Sequence, residues 1–345
     1  MLARWRLPRP VRYPLLAAPR RRSSTTVEPF KILFCGSDQF SIASLRALAA
    51  LKRKEPDFIG SIDVVHRPGK PTGRGLKTIR EVPIKAVATD ELGLVTHELD
   101  TFKGWTQPAS IDLVVAVSFG LFIPSRILNG ARHGGINVHP SLLPDLHGPA
   151  PIIHTLLKKR PRTGVTVQTL DLKHFDQGTI LAQTPTPGIT VPKGITPDEL
   201  TSMLGDLGSR MLVDVLGSRA FEPPIVDQGW YANSGGPVEH AGKITTEHRY
   251  VDFAVASAKD ILRRQRVLGE LWCKLPNGQR LNLHSLEPTD WARVGADIPR
   301  GLVSRNRNIY AITCDGRTLQ IKSSTYPGKK RATGNSCLLD MKLVG

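Results

Sequence analysis

Ile111-Asp112-Leu113-Val114-Val115-Ala116-Val117-Ser118-Phe119-Gly120 is a near-continuous run of apolar, mostly β-branched residues that stops abruptly in a polar turn. Such a run reads as a strand buried on both faces of a parallel sheet. Upstream, Phe30 to Gly36 is a second short apolar strand, and Ser37-Asp38 is a plausible helix cap. Phe40, Ala43, Leu45, Leu48 and Leu51 then recur at helical spacing over 39–54, and Phe58 to Val65 reads as the next strand. With a further strand at Leu94 to Leu99, the pattern predicts an α/β, Rossmann-like unit. Gly36 stands alone without G-x-G-x-x-G, which argues against NAD or FAD. Open sheets of this kind bind ligands beyond the carboxyl ends of their strands.

Downstream of that run comes Asn137-Val138-His139-Pro140-Ser141-Leu142-Leu143-Pro144, with Asp176 37 residues after the histidine. If 136–139 is extended, Asn137 and His139 point to the same side. An amide, an imidazole and a carboxylate are what acyl-type transfer to an amine needs: donors for an oxyanion and an acceptor for a proton. The competing reading is turn chemistry around a satisfied histidine.

The 345 residues suffice for two domains with extensions. No apolar run reaches the ~18 residues of a membrane-spanning helix, so no membrane association is expected. Cys35, Cys273, Cys314 and Cys337 are scattered without CxxC or Cys/His metal spacing. Free thiols and no structural metal are therefore expected.

The formal charge of +17 is concentrated at the two ends. Residues 1–27 hold seven arginines and no acid, with hydroxyl residues following at Ser23 to Thr26. This is the composition of a mitochondrial transit peptide; a basic nucleic-acid-binding tail is the alternative. Residues 246–345 hold 17 basic and 9 acidic residues, which suggests a polyanionic partner or simply a basic domain. The acid-free stretch 66–77 carries Arg67, Lys70, Arg74 and Lys77 among glycines and prolines. It reads equally as a phosphate-contacting loop or as a solvated one.

A helix is expected from Pro149-Ala150-Pro151 through Leu157, and strands over Thr163 to Leu172 and Thr179 to Gln183. A long helix should start at the Thr196 cap and run to about Leu216. Proline- and glycine-rich 219–245 reads as an extended linker. Beyond it, a helix over Ala256 to Gln265 precedes five short β-like runs, with hairpin signals at Asn277-Gly278 and Asp315-Gly316. Five short strands suit a small OB-like β-barrel. The expected division is 1–27 leader, 28–218 catalytic domain, 219–245 linker and 246–345 basic OB-like domain.

From about residue 30 onward the sequence resembles the methionyl-tRNA formyltransferases of mitochondrial type, within the folate-dependent formyltransferases. The resemblance rests on Ile136 to Pro144, on Gly148-Pro149-Ala150-Pro151-Ile152, and on Thr163-Gly164-Val165-Thr166 leading to Asp176-Gln177-Gly178. It implies formyl transfer from 10-formyltetrahydrofolate to the α-amine of initiator methionyl-tRNA, without a metal. The implied catalytic residues are Asn137, His139 and Asp176, and the implied folate contacts are Phe119, Gly120, Ser141, Leu142, Leu143 and Pro144. Arg67, Lys70, Arg74, Lys77, Lys329 and Lys330 are the implied tRNA contacts, in a monomer of the mitochondrial matrix. One departure stands out: Asp145-Leu146-His147 occupies the place where bacterial members commonly have Arg-Trp-Arg. The rivals are another folate-dependent formyltransferase or formyltetrahydrofolate hydrolase, and a non-catalytic RNA-binding protein on the same fold.

Overall fold

The computed structural model describes residues 28–341 apart from 74, 76 and 109. The leader expected over 1–27 and the basic residue Arg74 lie outside the described residues.

The first half runs β1 (Phe30–Gly36), α1 (Gln39–Lys54), β2 (Ile59–His66), β3 (Lys70–Thr72), β4 (Thr78–Arg80), α2 (Pro83–Ala86), β5 (Val95–Glu98), β6 (Leu113–Val117), α3 (Ser125–Gly130), β7 (Gly135–His139), α4 (Pro151–Leu157), β8 (Arg162–Thr163), β9 (Thr166–Thr169), β10 (Ile180–Gln183), β11 (Ile189–Thr190) and α5 (Pro197–Ser218). The second half adds α6 (Ala258–Leu268), β12 (Leu271–Lys274), β13 (Arg280–Pro288), β14 (Gly301–Arg305), β15 (Asn308–Ile312), β16 (Thr318–Thr325) and α7 (Gly334–Asp340).

The central sheet has the order β10-β9-β7-β6-β1-β2-β5. β7, β6, β1, β2 and β5 are parallel, while β9 and β10 are antiparallel additions at one edge. Chain order reverses between β1 and β6, so the crevice outside their carboxyl ends is the place where such sheets receive ligands. α1 starts there because Asp38 and Ser41 form a reciprocal capping box. α1 and α5 cover one face of the sheet. α5 fits because Gly205 and Gly208 are small: a Cβ on Gly205 would come within 3.2 Å of Ala43, and one on Gly208 within 3.0 Å of Val138. The opposite face packs against Phe102, Phe119, Ile123, Ile127 and Leu128.

The strand expected over 163–172 is broken into β8 and β9. Gly164 interrupts it, since a Cβ there would lie 2.6 Å from Leu142 and 2.7 Å from Thr184. Thr184 Oγ1 instead accepts the Val165 N–H at 2.7 Å. The basic stretch after β2 is a short antiparallel hairpin, β3 with β4, pairing Lys70 with Arg80.

The C-terminal strands form one antiparallel sheet in the order β12-β13-β16-β15-β14, with two register shifts in the nine-residue β13. No ladder joins β12 to β14 among the described residues, so the hydrogen-bonded sheet has two edges.

The stretch read as an extended linker is tied to the first half along much of its length. The Gln228 N–H donates to the Ile180 carbonyl, and the Trp230 and Tyr231 N–H groups to Gln183 Oε1. Trp230 Nε1 donates to the Thr184 carbonyl at 2.7 Å. Farther on, the Ala241 N–H donates to His147 O and the Ala150 N–H to Ala241 O, a parallel bridge beside residues 145–148.

Candidate active site

β7 alternates as its sequence requires. Ile136 and Val138 turn into the core under α5, and Asn137 and His139 share the opposite face. Asp176 sits in the turn before β10 at φ +56°, a backbone state more open to Asp than to most residues. The three side chains converge. Asn137 Nδ2 donates to Asp176 Oδ1 at 3.4 Å, and His139 Nδ1 lies 3.6 Å from the same oxygen. The other carboxylate oxygen accepts the Gly148 N–H at 2.8 Å.

The His139 ring has a defined orientation. Nε2 lies 3.1 Å from the Leu146 carbonyl, which can only accept, so Nε2 carries a hydrogen. Nδ1 is the nitrogen left for chemistry. Donation from Nδ1 to a developing oxyanion needs the doubly protonated ring, with Asp176 as its countercharge.

Two groups that sequence reading missed therefore hold the trio, Leu146 O and Gly148 N, both in the loop 145–148. Asp145 anchors that loop. Its buried carboxylate takes a two-pronged bond from Arg160, 3.0 Å from Nε and 3.1 Å from Nη2, and accepts the Glu239 N–H at 3.1 Å. Burial pulls the Arg160 guanidinium down, but Asp145 and Glu239 more than offset it and leave it above its ordinary value. Asp145 is thus an internal pin where a basic residue stands in the bacterial pattern. Glu239 also pairs with Lys158, and its carboxyl is held below the usual range by Lys158 and Arg160. His154 Nε2 donates to the Gly242 carbonyl at 2.9 Å, and burial pushes this imidazole below its ordinary value. The only advance signal for Gly148 was its place beside Pro149; its φ of +113° explains the residue type.

The implied folate contacts divide into two groups. Ser141, Leu142 and Leu143 are buried. Ser141 Oγ donates to the Asp145 carbonyl at 2.7 Å, and Leu143 N–H to Thr166 Oγ1 at 3.1 Å. Their side chains build the turn, so what they can offer a ligand is backbone. Pro144 is partly exposed, beyond a cis Leu143–Pro144 bond. Across the crevice Phe119 is buried, its ring 5.9 Å from Phe102. Gly120 is exposed at φ +76°, and Leu121 and Phe122 are half-buried.

Of the implied RNA contacts, Lys70, Lys77, Lys329 and Lys330 are exposed. Arg67 is not free: its Nη2 lies 2.5 Å from Asp100 Oδ1. Among the described residues, no group of three or more His, Cys, Asp or Glu is arranged to hold a metal ion, and no helix is long and apolar enough to cross a membrane.

A formyl transferase model matches residues 30–216, so the chain belongs to the formyl transferase family. It is 35% identical over 246 residues to a protein of Bos taurus named methionyl-tRNA formyltransferase, mitochondrial, covering 70% of this chain and 58% of that one. A methionyl-tRNA formyltransferase of Rhizorhabdus wittichii is 31% identical over 283 residues, covering 79% and 84%. The chain thus spans under two thirds of the length of the Bos taurus relative and most of the bacterial one. A sugar N-formyltransferase structure from Shewanella superposes with TM-score 0.53 at 17% identity, covering 79% of this chain and 99% of that one. That last likeness speaks to the fold alone.

Proposed function

We propose that this chain transfers the formyl group of 10-formyltetrahydrofolate to the α-amine of initiator methionyl-tRNA. The observation that carries the reading is the convergence of Asn137, His139 and Asp176 at the carboxyl end of β7. Relatives matched over most of their own length are named for that acceptor.

The folate supplies the formyl carbon. An α-amine has a pKa of about 7.7–8.0, so a neutral fraction exists near neutrality. Asn137 and His139 donate to the formyl oxygen as negative charge grows on it. Each well-aimed donor of this kind is worth about 2.7–4 kcal/mol. Asp176 takes the proton that the amine loses on forming its bond to carbon. The bond from that carbon to the folate nitrogen breaks, the leaving nitrogen takes up the proton that Asp176 received, which restores the carboxylate, and nothing is oxidised or reduced. The folate would lie against the 118–121 turn and the backbone of 141–144.

In this reading residues 28–218 are the catalytic domain, 219–245 the connection and 246–345 an OB-like RNA-binding domain. Lys70 and Lys77 at the β3–β4 hairpin, with Arg74, Lys329 and Lys330, would meet RNA phosphates, and Arg67 would do so after leaving Asp100. The arginine-rich 1–27 would direct a monomer to the mitochondrial matrix, in keeping with the names of several relatives.

The test is acceptor choice. With labelled formyl donor, label should pass to charged initiator tRNA and not to glycinamide ribonucleotide or water. Label released only as formate would make the protein a hydrolase, and no turnover with any acceptor would leave only the RNA-binding rival.

A further inference from the structure

β9 runs antiparallel to β7 with Gln168 directly opposite Asn137 and Thr166 opposite His139. Directly opposed residues on an antiparallel pair point to the same face, with their Cβ atoms about 4.5–5.5 Å apart. Gln168 therefore stands beside Asn137 on the face that carries the trio. It is 1% exposed, yet among the described residues its Oε1 has no hydrogen-bond partner. Of the buried polar side-chain atoms without a partner among the described residues, it is the only one on β7 or β9.

Its neighbour sets the contrast. Thr166 Oγ1 donates to the Ser141 carbonyl at 2.8 Å and accepts from Leu143 N and Gln183 Nε2, both at 3.1 Å. One polar residue of β9 is thus fully engaged in holding the turn, while the next is left open beside the catalytic amide. Buried polar groups are almost always paired, and an exception in a native fold calls for an explanation, of which a bound ligand beside a reactive site is one. An amide oxygen can only accept. The missing partner must be an N–H or O–H donor, and it must sit next to the carbon that Asn137 polarises.

We propose that Gln168 Oε1 receives an N–H of the attacking amine, which makes Gln168 a further catalytic residue. The assignment rests on the formyl-transfer reading above. Holding one N–H directs the nitrogen lone pair at the formyl carbon. As the new C–N bond forms, the nitrogen becomes cationic and its N–H a stronger donor. The contact therefore tightens between ground state and transition state, the condition for raising turnover rather than affinity alone. The proton that leaves still goes to Asp176, and Gln168 takes none.

The experiment pairs kinetics with melting on the full chain, using Gln168→Met and, as a second apolar replacement, Gln168→Leu. Both remove the acceptor and fill most of its volume. The expected result is a fall in kcat of at least about tenfold with methionyl-tRNA, while KM for 10-formyltetrahydrofolate stays within about twofold. The melting temperature should hold or rise, because an unpaired buried amide oxygen is gone. A residue serving only the fold would do the reverse, lowering the melting temperature together with turnover, and that outcome overturns the proposal. So does turnover within about twofold of wild type, or a defect confined to the folate KM. A wild-type chain that formylates no methionyl-tRNA would instead overturn the acceptor reading, and this assignment with it.

Discussion

Replacing Gly148 with alanine puts one methyl group where the backbone leaves no room for it. The residue sits at φ +113°, a region costing a non-glycine residue about 1–3 kcal/mol. The new Cβ would lie 2.6 Å from His240 Cε1 and 2.9 Å from the Ala241 carbonyl oxygen. The imidazole can rotate away. The carbonyl cannot, because it accepts the Ala150 N–H at 3.1 Å. Relief must come from Gly148 itself, and it turns away the N–H that Asp176 Oδ2 accepts at 2.8 Å. A hydrogen bond to a charged group is worth about 1.5–3 kcal/mol. If that appears in the transition state, kcat falls about 10- to 100-fold at about 1.36 kcal/mol per decade. The backbone cost should also lower the melting temperature by several degrees, at roughly 2–4 °C per kcal/mol for a chain above 150 residues. Steady-state formyl transfer measured well below the melting point, beside calorimetry, separates the two effects. A folded Gly148→Ala protein with undiminished kcat would refute the claim that this N–H holds the catalytic carboxylate.

Asn137→Ala, His139→Ala and Asp176→Ala should each reduce turnover by at least ~10² while leaving a cooperative melting transition; near wild-type turnover in any one strips that residue of its role. Lys70→Glu or Lys77→Glu should raise the KM for tRNA and flatten its salt dependence by about one unit of log–log slope or more, with folate affinity unchanged. Arg67→Glu should do less harm to RNA binding than either, because Arg67 is already engaged with Asp100; KM measured across a salt series ranks the three. Asp260 on α6 is held at a pKa of about 2, by Lys159 at 2.8 Å and then by Arg263. A depressed carboxyl stabilises the fold above its unfolded value and stops doing so as pH falls through its folded one. The stability gap between wild type and Asp260→Asn should therefore be constant above about pH 4 and close by about pH 2, as read from denaturant melts; for a carboxylate this exposed the gap should be small.

The parallel core was legible because burial on both faces leaves one kind of message, the apolar β-branched run at Leu113–Val117 and its equivalent at Phe30–Gly36. α1 and α5 were legible at their starts because Asp38 and Thr196 cap them. Asn137, His139 and Asp176 could be named since their residue types carry the chemistry. The atoms that hold them could not: Leu146 contributes a carbonyl and Gly148 an N–H, and every residue owns both groups. Gln168 was silent for another reason, because an amide on a strand means nothing until its partner strand and register are known. The contacts of 219–245 were not legible, since proline and glycine disfavour long regular elements but do not preclude docking through backbone hydrogen bonds.

That docking bears on how such proteins can be taken apart. The sheet and α5 are complete at Ser218, which makes that residue an inviting place to cut or to graft another module. Yet Glu239 and Ala241, some twenty residues on, meet Asp145, His147 and Ala150 around the loop that contacts His139 and Asp176. A fragment ending at Ser218 would keep Asn137, His139 and Asp176 and lose part of their scaffolding. Chimeras that exchange C-terminal halves should therefore inherit 219–245 with the N-terminal parent, because by its contacts that stretch belongs with the 145–148 loop.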